Sequence, residues 1–155
     1  MEKLQFKTIS KQKIADTVTP VGLYLRLRDK YSNTLLLESS DYHSKEESYS
    51  FICIEPVVSM QADGNEFSVS VKGKQVQNAT IDNNFNTLFN AFTASIDLDC
   101  EESLKPFNGL YGYTTYDSVQ YFETIKLNVG EAPSKIPMMQ YSFCLLYTSP
   151  SPRDA

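Results

Sequence analysis

The stretch Val57-Val-Ser-Met-Gln-Ala62, Asp63-Gly64, Asn65-Glu66, Phe67-Ser-Val-Ser-Val-Lys72 decides the fold class. Two runs rich in β-branched and apolar residues flank an Asp-Gly pair, and such a pair supplies the positive φ that a tight primed turn needs. The reading is a β-hairpin, and hence an antiparallel sheet. Lys72-Gly73-Lys74 repeats the turn chemistry and predicts a further edge strand.

Upstream, Ser48-Tyr-Ser-Phe-Ile-Cys-Ile54 alternates, with Tyr49, Phe51 and Cys53 on one face and Ile52 and Ile54 on the other. Pro56 is expected to stop that strand, because proline has no N–H to give a ladder. Thr34-Leu-Leu-Leu-Glu-Ser39 is a short, mostly apolar run of the kind that forms a buried strand. Ser40 to Glu47 reads as a charged loop between the two. Earlier still, Thr19-Pro20 is a helix-start signal that carries a helix to Asp29, with Lys30 to Asn33 turning the chain.

Downstream, Phe85, Leu88, Phe89 and Phe92 recur at helical spacing, so Asn84 to Ser95 is an amphipathic helix behind the caps Asp82-Asn83-Asn84. Asp97 to Glu102 reads as an acidic linker. In Phe107-Asn-Gly-Leu-Tyr-Gly-Tyr113, a strand through Gly109 to Tyr113 is expected, then a turn at Thr114 and Thr115 and a short helix from Tyr116 to Glu123. Glycine inside a strand marks a bulge or a close backbone approach. Met138 to Phe143 looks like the beginning of another strand. The whole predicts an α/β fold of the α+β type, a mostly antiparallel sheet with helices packed outside.

Composition bounds the function. At 41% hydrophobic and 12% aromatic the chain can build a core. A net charge of -5 argues against non-specific nucleic-acid binding, which needs basic patches to displace counterions. No apolar run approaches membrane-spanning length, and Met1 to Lys13 is too polar for a signal peptide. Widely spaced cysteines without a Cys-x-x-Cys pair give neither a disulfide framework nor a zinc site, which points to a reducing, cytoplasmic setting.

Residues 144 to 155 stand apart. Cys144-Leu-Leu-Tyr-Thr-Ser-Pro-Ser-Pro-Arg-Asp154 back-translates without strain into a transposase mosaic end followed by a read-through primer. It reads as a translated sequencing-adapter tail, not native, and is set aside from fold reasoning. Residues 1 to 143 are then one truncated region, with Cys53 and Cys100 as its cysteines. Arg153 and Asp154 cancel, so the net charge is unchanged.

The candidate chemistry is sparse. The single histidine, His43, lies in a charged loop without a second histidine to share a metal or a nucleophile to activate. Asp97, Asp99, Glu101 and Glu102 are better read as a solvated run than as a metal site. Gly109-x-x-Gly112 lacks the third glycine and the strand–loop–helix context of a phosphate loop, so tight strand packing is its reading. Cys53 reads as a small core residue.

Two stretches carry a resemblance. Thr34-Leu-Leu-Leu-Glu-Ser39, followed by Ser48-Tyr-Ser-Phe-Ile52 and Pro56, resembles the amino-terminal region of anthranilate synthase component I, a chorismate-utilising enzyme. Gly109-Leu-Tyr-Gly-Tyr-Thr-Thr-Tyr-Asp117, through Gln120-Tyr-Phe-Glu123, looks like that family's glycine-rich segment, and Thr19-Pro20-Val-Gly-Leu-Tyr24 takes the expected place before both. The glycine segment is shared with aminodeoxychorismate synthase component I of the folate pathway, which is the nearest rival; a free-standing small-molecule binding module is the rival from another class.

The resemblance implies an incomplete part of a larger layered sheet. It implies a parent enzyme that converts chorismate and ammonia to anthranilate and pyruvate with magnesium, fed by a glutamine amidotransferase subunit. The family's catalytic groups and magnesium ligands lie in a carboxy-terminal half, so none is expected among these residues. What the resemblance does carry over is the L-tryptophan feedback site, at Leu37, Glu38 and Ser39. On a strand, Leu37 and Ser39 point to one face and Glu38 to the other. An apolar side chain beside a hydroxyl suits a ligand with an indole and an amino-acid head.

Overall fold

A computed structural model describes residues 3–15, 17–38, 49–125 and 136–150. Its centre is the predicted hairpin. Strand β3 (Tyr49–Asp63) pairs antiparallel with β4 (Glu66–Val71), and β4 with β5 (Lys74–Thr80). The first turn places Gly64 and Asn65 between the paired Asp63 and Glu66, with Gly64 at φ 54°. The second places Lys72 and Gly73 between Val71 and Lys74, at φ 48° and 76°, which is the geometry of a type I′ turn. Only a residue that tolerates positive φ connects strands so tightly, and glycine does so without steric cost.

The six-stranded sheet runs β5-β4-β3-β8-β7, with β2 (Leu35–Glu38) also on β3. Strand β8 spans Met139–Pro150 and β7 spans Tyr111–Thr114. Residues 144–150, set aside from the fold on the sequence, continue β8 and pair with β3 from Pro56 back to Tyr49. Their start, Cys144-Leu-Leu-Tyr-Thr, is apolar and compatible with a strand.

Pro56 does not end the strand, contrary to expectation. Glu55 takes a left-handed φ of 49°, and the register to β8 shifts on either side of Pro56. On its other side β3 is shared by β2, which pairs with Ser50–Cys53, and β4, which pairs with Val58–Asp63. Pro56 therefore sits in a bulged gap where no ladder bond is asked of it, the one place in a central strand that suits proline.

Helix α1 (Pro20–Arg28) forms as its start signal requires. Thr19 Oγ1 accepts from the Gly22 N–H at 3.1 Å, and Pro20 opens the helix where its missing N–H costs nothing. Helix α2 (Phe85–Ser95) buries Phe85 and Phe92 against β4. Asn84 sits at its N-cap, but its side chain turns backward: Oδ1 accepts from the Asp82 N–H at 2.8 Å and caps nothing in the helix.

The acidic linker is corrected outright. Ile96–Asp99 is a strand, β6, and it pairs in parallel with β1 (Leu4–Lys7) in a two-stranded sheet. Ile96 and Leu98 alternate inward with Leu4 and Phe6, while the aspartates face water. The core joins Val58, Met60 and Ala62 of β3, Phe67 and Val69 of β4, Met139, and the α2 phenylalanines; Leu4, Phe6 and Ile96 pack on it. Short 3-10 helices at Glu102–Phe107 and Tyr116–Tyr121 flank β7. Tyr121 anchors the second, donating to the Gly64 carbonyl at 3.0 Å and stacking on Phe85 at 4.9 Å.

Candidate functional site

The register sorts the sheet into two faces. Val58, Met60 and Ala62 point to the core with their partners Val71, Val69 and Phe67. Ser59 and Gln61 point away, with Ser142 and Gln140 opposite them in β8 and, beyond these, Tyr111 and Tyr113 of β7. In the first half of β3, Leu37 lies opposite Phe51 and Leu35 opposite Cys53. Phe51 and Tyr111 rings meet at 5.7 Å, so Leu37 shares this second face with Tyr111.

Of the three residues singled out from the sequence, Leu37 is thus half-buried beside an aromatic group, whereas Glu38 is exposed and lies across from Ser50. Ser39 and His43 lie outside the described residues.

The aromatic group is fixed. Phe107 stands 5.8 Å from Tyr49 and 6.4 Å from Phe51, and its carbonyl accepts the Tyr111 hydroxyl at 2.7 Å. Burial pushes the Tyr111 phenol up to about 12, with the neighbouring Cys53 and Cys144 adding to the shift. Cys144 hydrogen-bonds Cys53; the contact lowers the Cys53 pKa and, with burial, pushes that of Cys144 up.

Gly112 shows why β7 lies so close. A Cβ there would overlap the Gln140 carbonyl oxygen and stand 2.8 Å from both the carbonyl carbon and Tyr141 Cα. The close approach expected of the glycine pair therefore belongs to Gly112. Gly109 has no atom within 4 Å of such a Cβ and precedes the strand, which begins at Tyr111.

A cleft of about 220 Å³ opens on the second face. It is lined by Asn33, Thr34 and Leu35 at the start of β2 and by Tyr111, Tyr113, Gln140 and Ser142. Asn33 turns into it at φ 59°, a left-handed value that asparagine tolerates. Sequence reading misses this cleft, because its polar residues come two at a time from three segments far apart in the chain.

Among the described residues, no group of three or more His, Cys, Asp or Glu side chains converges to hold a metal ion. The described residues do not fit a magnesium site. No described helix is long and apolar enough to cross a membrane.

No family model matches the chain. It is 30% identical over 126 residues to anthranilate synthase component 1 of Pseudomonas putida, covering 81% of this chain and 24% of that protein. It is 26% identical over 132 residues to anthranilate synthase component 1 of Methanothermobacter thermautotrophicus, covering 85% of this chain and 25% of the relative. The chain spans about a quarter of the length of these relatives. The resemblance read from the Leu-Glu-Ser and glycine-rich stretches therefore holds across most of the chain: it is similar to part of anthranilate synthase component I.

Proposed function

We propose that this chain is the amino-terminal, regulatory part of an anthranilate synthase component I. The observation that carries the reading is the similarity, over more than four fifths of the chain, to two proteins of that name from a bacterium and an archaeon. Both names favour the tryptophan-pathway enzyme over its folate-pathway rival. The full-length protein converts chorismate and ammonia to anthranilate and pyruvate with magnesium, and a glutamine amidotransferase subunit delivers the ammonia. Leu37, Glu38 and Ser39 take part in its feedback site for L-tryptophan.

The physical argument for that site is its mixed chemistry. Leu37 offers an apolar wall next to Phe51, and Ser39, two residues on in the sequence, adds a hydroxyl to the set. Feedback then follows by linkage: tryptophan binds one of two arrangements better and chorismate the other, and each ligand lowers the affinity for the other by the same factor. Ser39→Ala in the full-length enzyme raises the tryptophan concentration for half-inhibition by about tenfold, on the scale of ~1.4 kcal/mol of coupling, and leaves uninhibited turnover near normal. Unchanged inhibition would sink the assignment.

A further inference from the structure

The cleft beside β7 has a chemistry that the tryptophan reading does not use. Tyr111 and Tyr113 stand opposite Ser142 and Gln140, held there because Gly112 lets the two backbones close. Asn33 brings a second primary amide from the opposite rim. Among the described residues, neither the Asn33 nor the Gln140 amide has a hydrogen-bond partner within the protein.

Among the described residues, no lysine, arginine or carboxylate lines the cleft. The Tyr111 phenol is committed to the Phe107 carbonyl and stays neutral far above physiological pH. A carboxylate ligand would find no counter-ion among these lining residues, in a chain whose net charge is already -5. A primary amide, by contrast, presents a donor and an acceptor side by side, and pairs with a ring edge that carries the complementary two. Leu35 and the tyrosine rings supply the flat apolar walls that such a ring needs. At about 220 Å³ the cleft takes one or two fused rings, and lies below the ~300 Å³ at which drug-sized sites begin.

We propose that this cleft binds a neutral, planar heterocycle with adjacent donor and acceptor atoms, of the lactam or amidine type, with its edge on Gln140 and Asn33 and its face on Tyr113 and Leu35. The described lining shares no residue with Leu37, Glu38 and Ser39, and its occupancy does not depend on the feedback assignment.

The test uses the full chain at neutral pH, titrated with hypoxanthine, a neutral bicyclic lactam, and followed by tyrosine fluorescence and backbone amide shifts. Benzoate, a flat anion, and indole, a flat ring without an acceptor, are the comparison probes. Saturable hypoxanthine binding is expected, with both comparison probes at least about tenfold weaker. Gln140→Leu keeps the strand and Asn33→Gly keeps the positive φ; each removes one amide and weakens binding about fivefold, the scale of one neutral hydrogen bond. Ser39→Ala leaves this binding unchanged, which separates it from the tryptophan site. Absence of saturation, benzoate binding as tightly as hypoxanthine, or variants binding like the natural sequence would each overturn the proposal.

Discussion

Gly112→Ala tests the account of β7 most directly. The added methyl meets backbone, not a flexible side-chain end: Gln140 carbonyl carbon and Tyr141 Cα both lie 2.8 Å from its position, and the Gln140 oxygen overlaps it. Relief requires β7 to move off β8, which weakens the pairing of Tyr111–Thr114 with Ser142–Met139 and disturbs the Phe51–Tyr111 contact. Overpacking that a neighbour can absorb costs about 1–3 kcal/mol. With a backbone neighbour and four paired residues at stake, about 3 kcal/mol is expected. That is a large share of the ~5–15 kcal/mol that holds a typical domain together. With a urea slope of about 2 kcal/mol/M, the midpoint falls by roughly 1.5 M. Far-UV circular dichroism and tyrosine fluorescence follow the transition. Gly109→Ala is the internal control, since no atom lies within 4 Å of its added carbon and its φ is not in the left-handed range. It should be neutral or stabilise by up to ~1 kcal/mol through the unfolded chain. A Gly112→Ala change within about 0.5 kcal/mol of zero, or an equal loss at Gly109, refutes the reasoning.

Thr19→Ala removes the oxygen that receives the Gly22 N–H and should cost about 1 kcal/mol, while Thr19→Ser should cost almost nothing; thermal melts resolve the pair. Phe67→Ala empties a fully buried position beside Phe85 and should cost about 3–5 kcal/mol by urea titration. Alkaline unfolding follows from the tyrosines. Burial raises Tyr111 and Tyr121 to about 12 from an ordinary 10.0, so above pH 10 the unfolded chain releases protons that the folded one keeps. Stability from these groups is intact below pH 10 and declines as pH rises towards 12, with tyrosinate absorbance rising in step with unfolding. Early, non-cooperative ionisation of both phenols would count against their burial.

Local signals made much of the fold legible. Thr19-Pro20 starts α1, Gly64 and Gly73 turn the hairpins, and the phenylalanine spacing marks α2, because each depends on residues a few positions apart. The β1–β6 ribbon was hidden for the opposite reason. Leu4 meets Ile96 from 92 residues away in the sequence, and two aspartates in a four-residue strand look like a linker until the inward Ile96 and Leu98 find a partner. Pro56 misled because proline reports a missing donor but not whether a neighbour needs that donor. The site divides the same way. A motif drew attention to Leu37 and Glu38, whereas Asn33, Gln140 and Ser142 become a cleft only once the sheet brings them together.

The bulge at Pro56 also decides which residues can belong to a site. Between Ile54 and Val58, β3 advances four residues while β8 advances only from Leu145 to Phe143, so β3 carries two extra residues. One extra residue would have reversed the alternation, and the Phe51 row would follow the core residues Val58 and Met60. Two restore it. Tyr49, Phe51 and Cys53 therefore keep to the face of Tyr111 and Ser142, while Ile52 keeps to that of Val58. Leu37 inherits its face from Phe51 through the β2 register, and Leu35 inherits its own from Cys53. The apolar wall of the proposed tryptophan site and the rim of the heterocycle cleft are thus set by a feature in neither of them. The strained Glu55 at φ 49° and the proline beside it hold that count at two, and with it the chemistry that the second face presents.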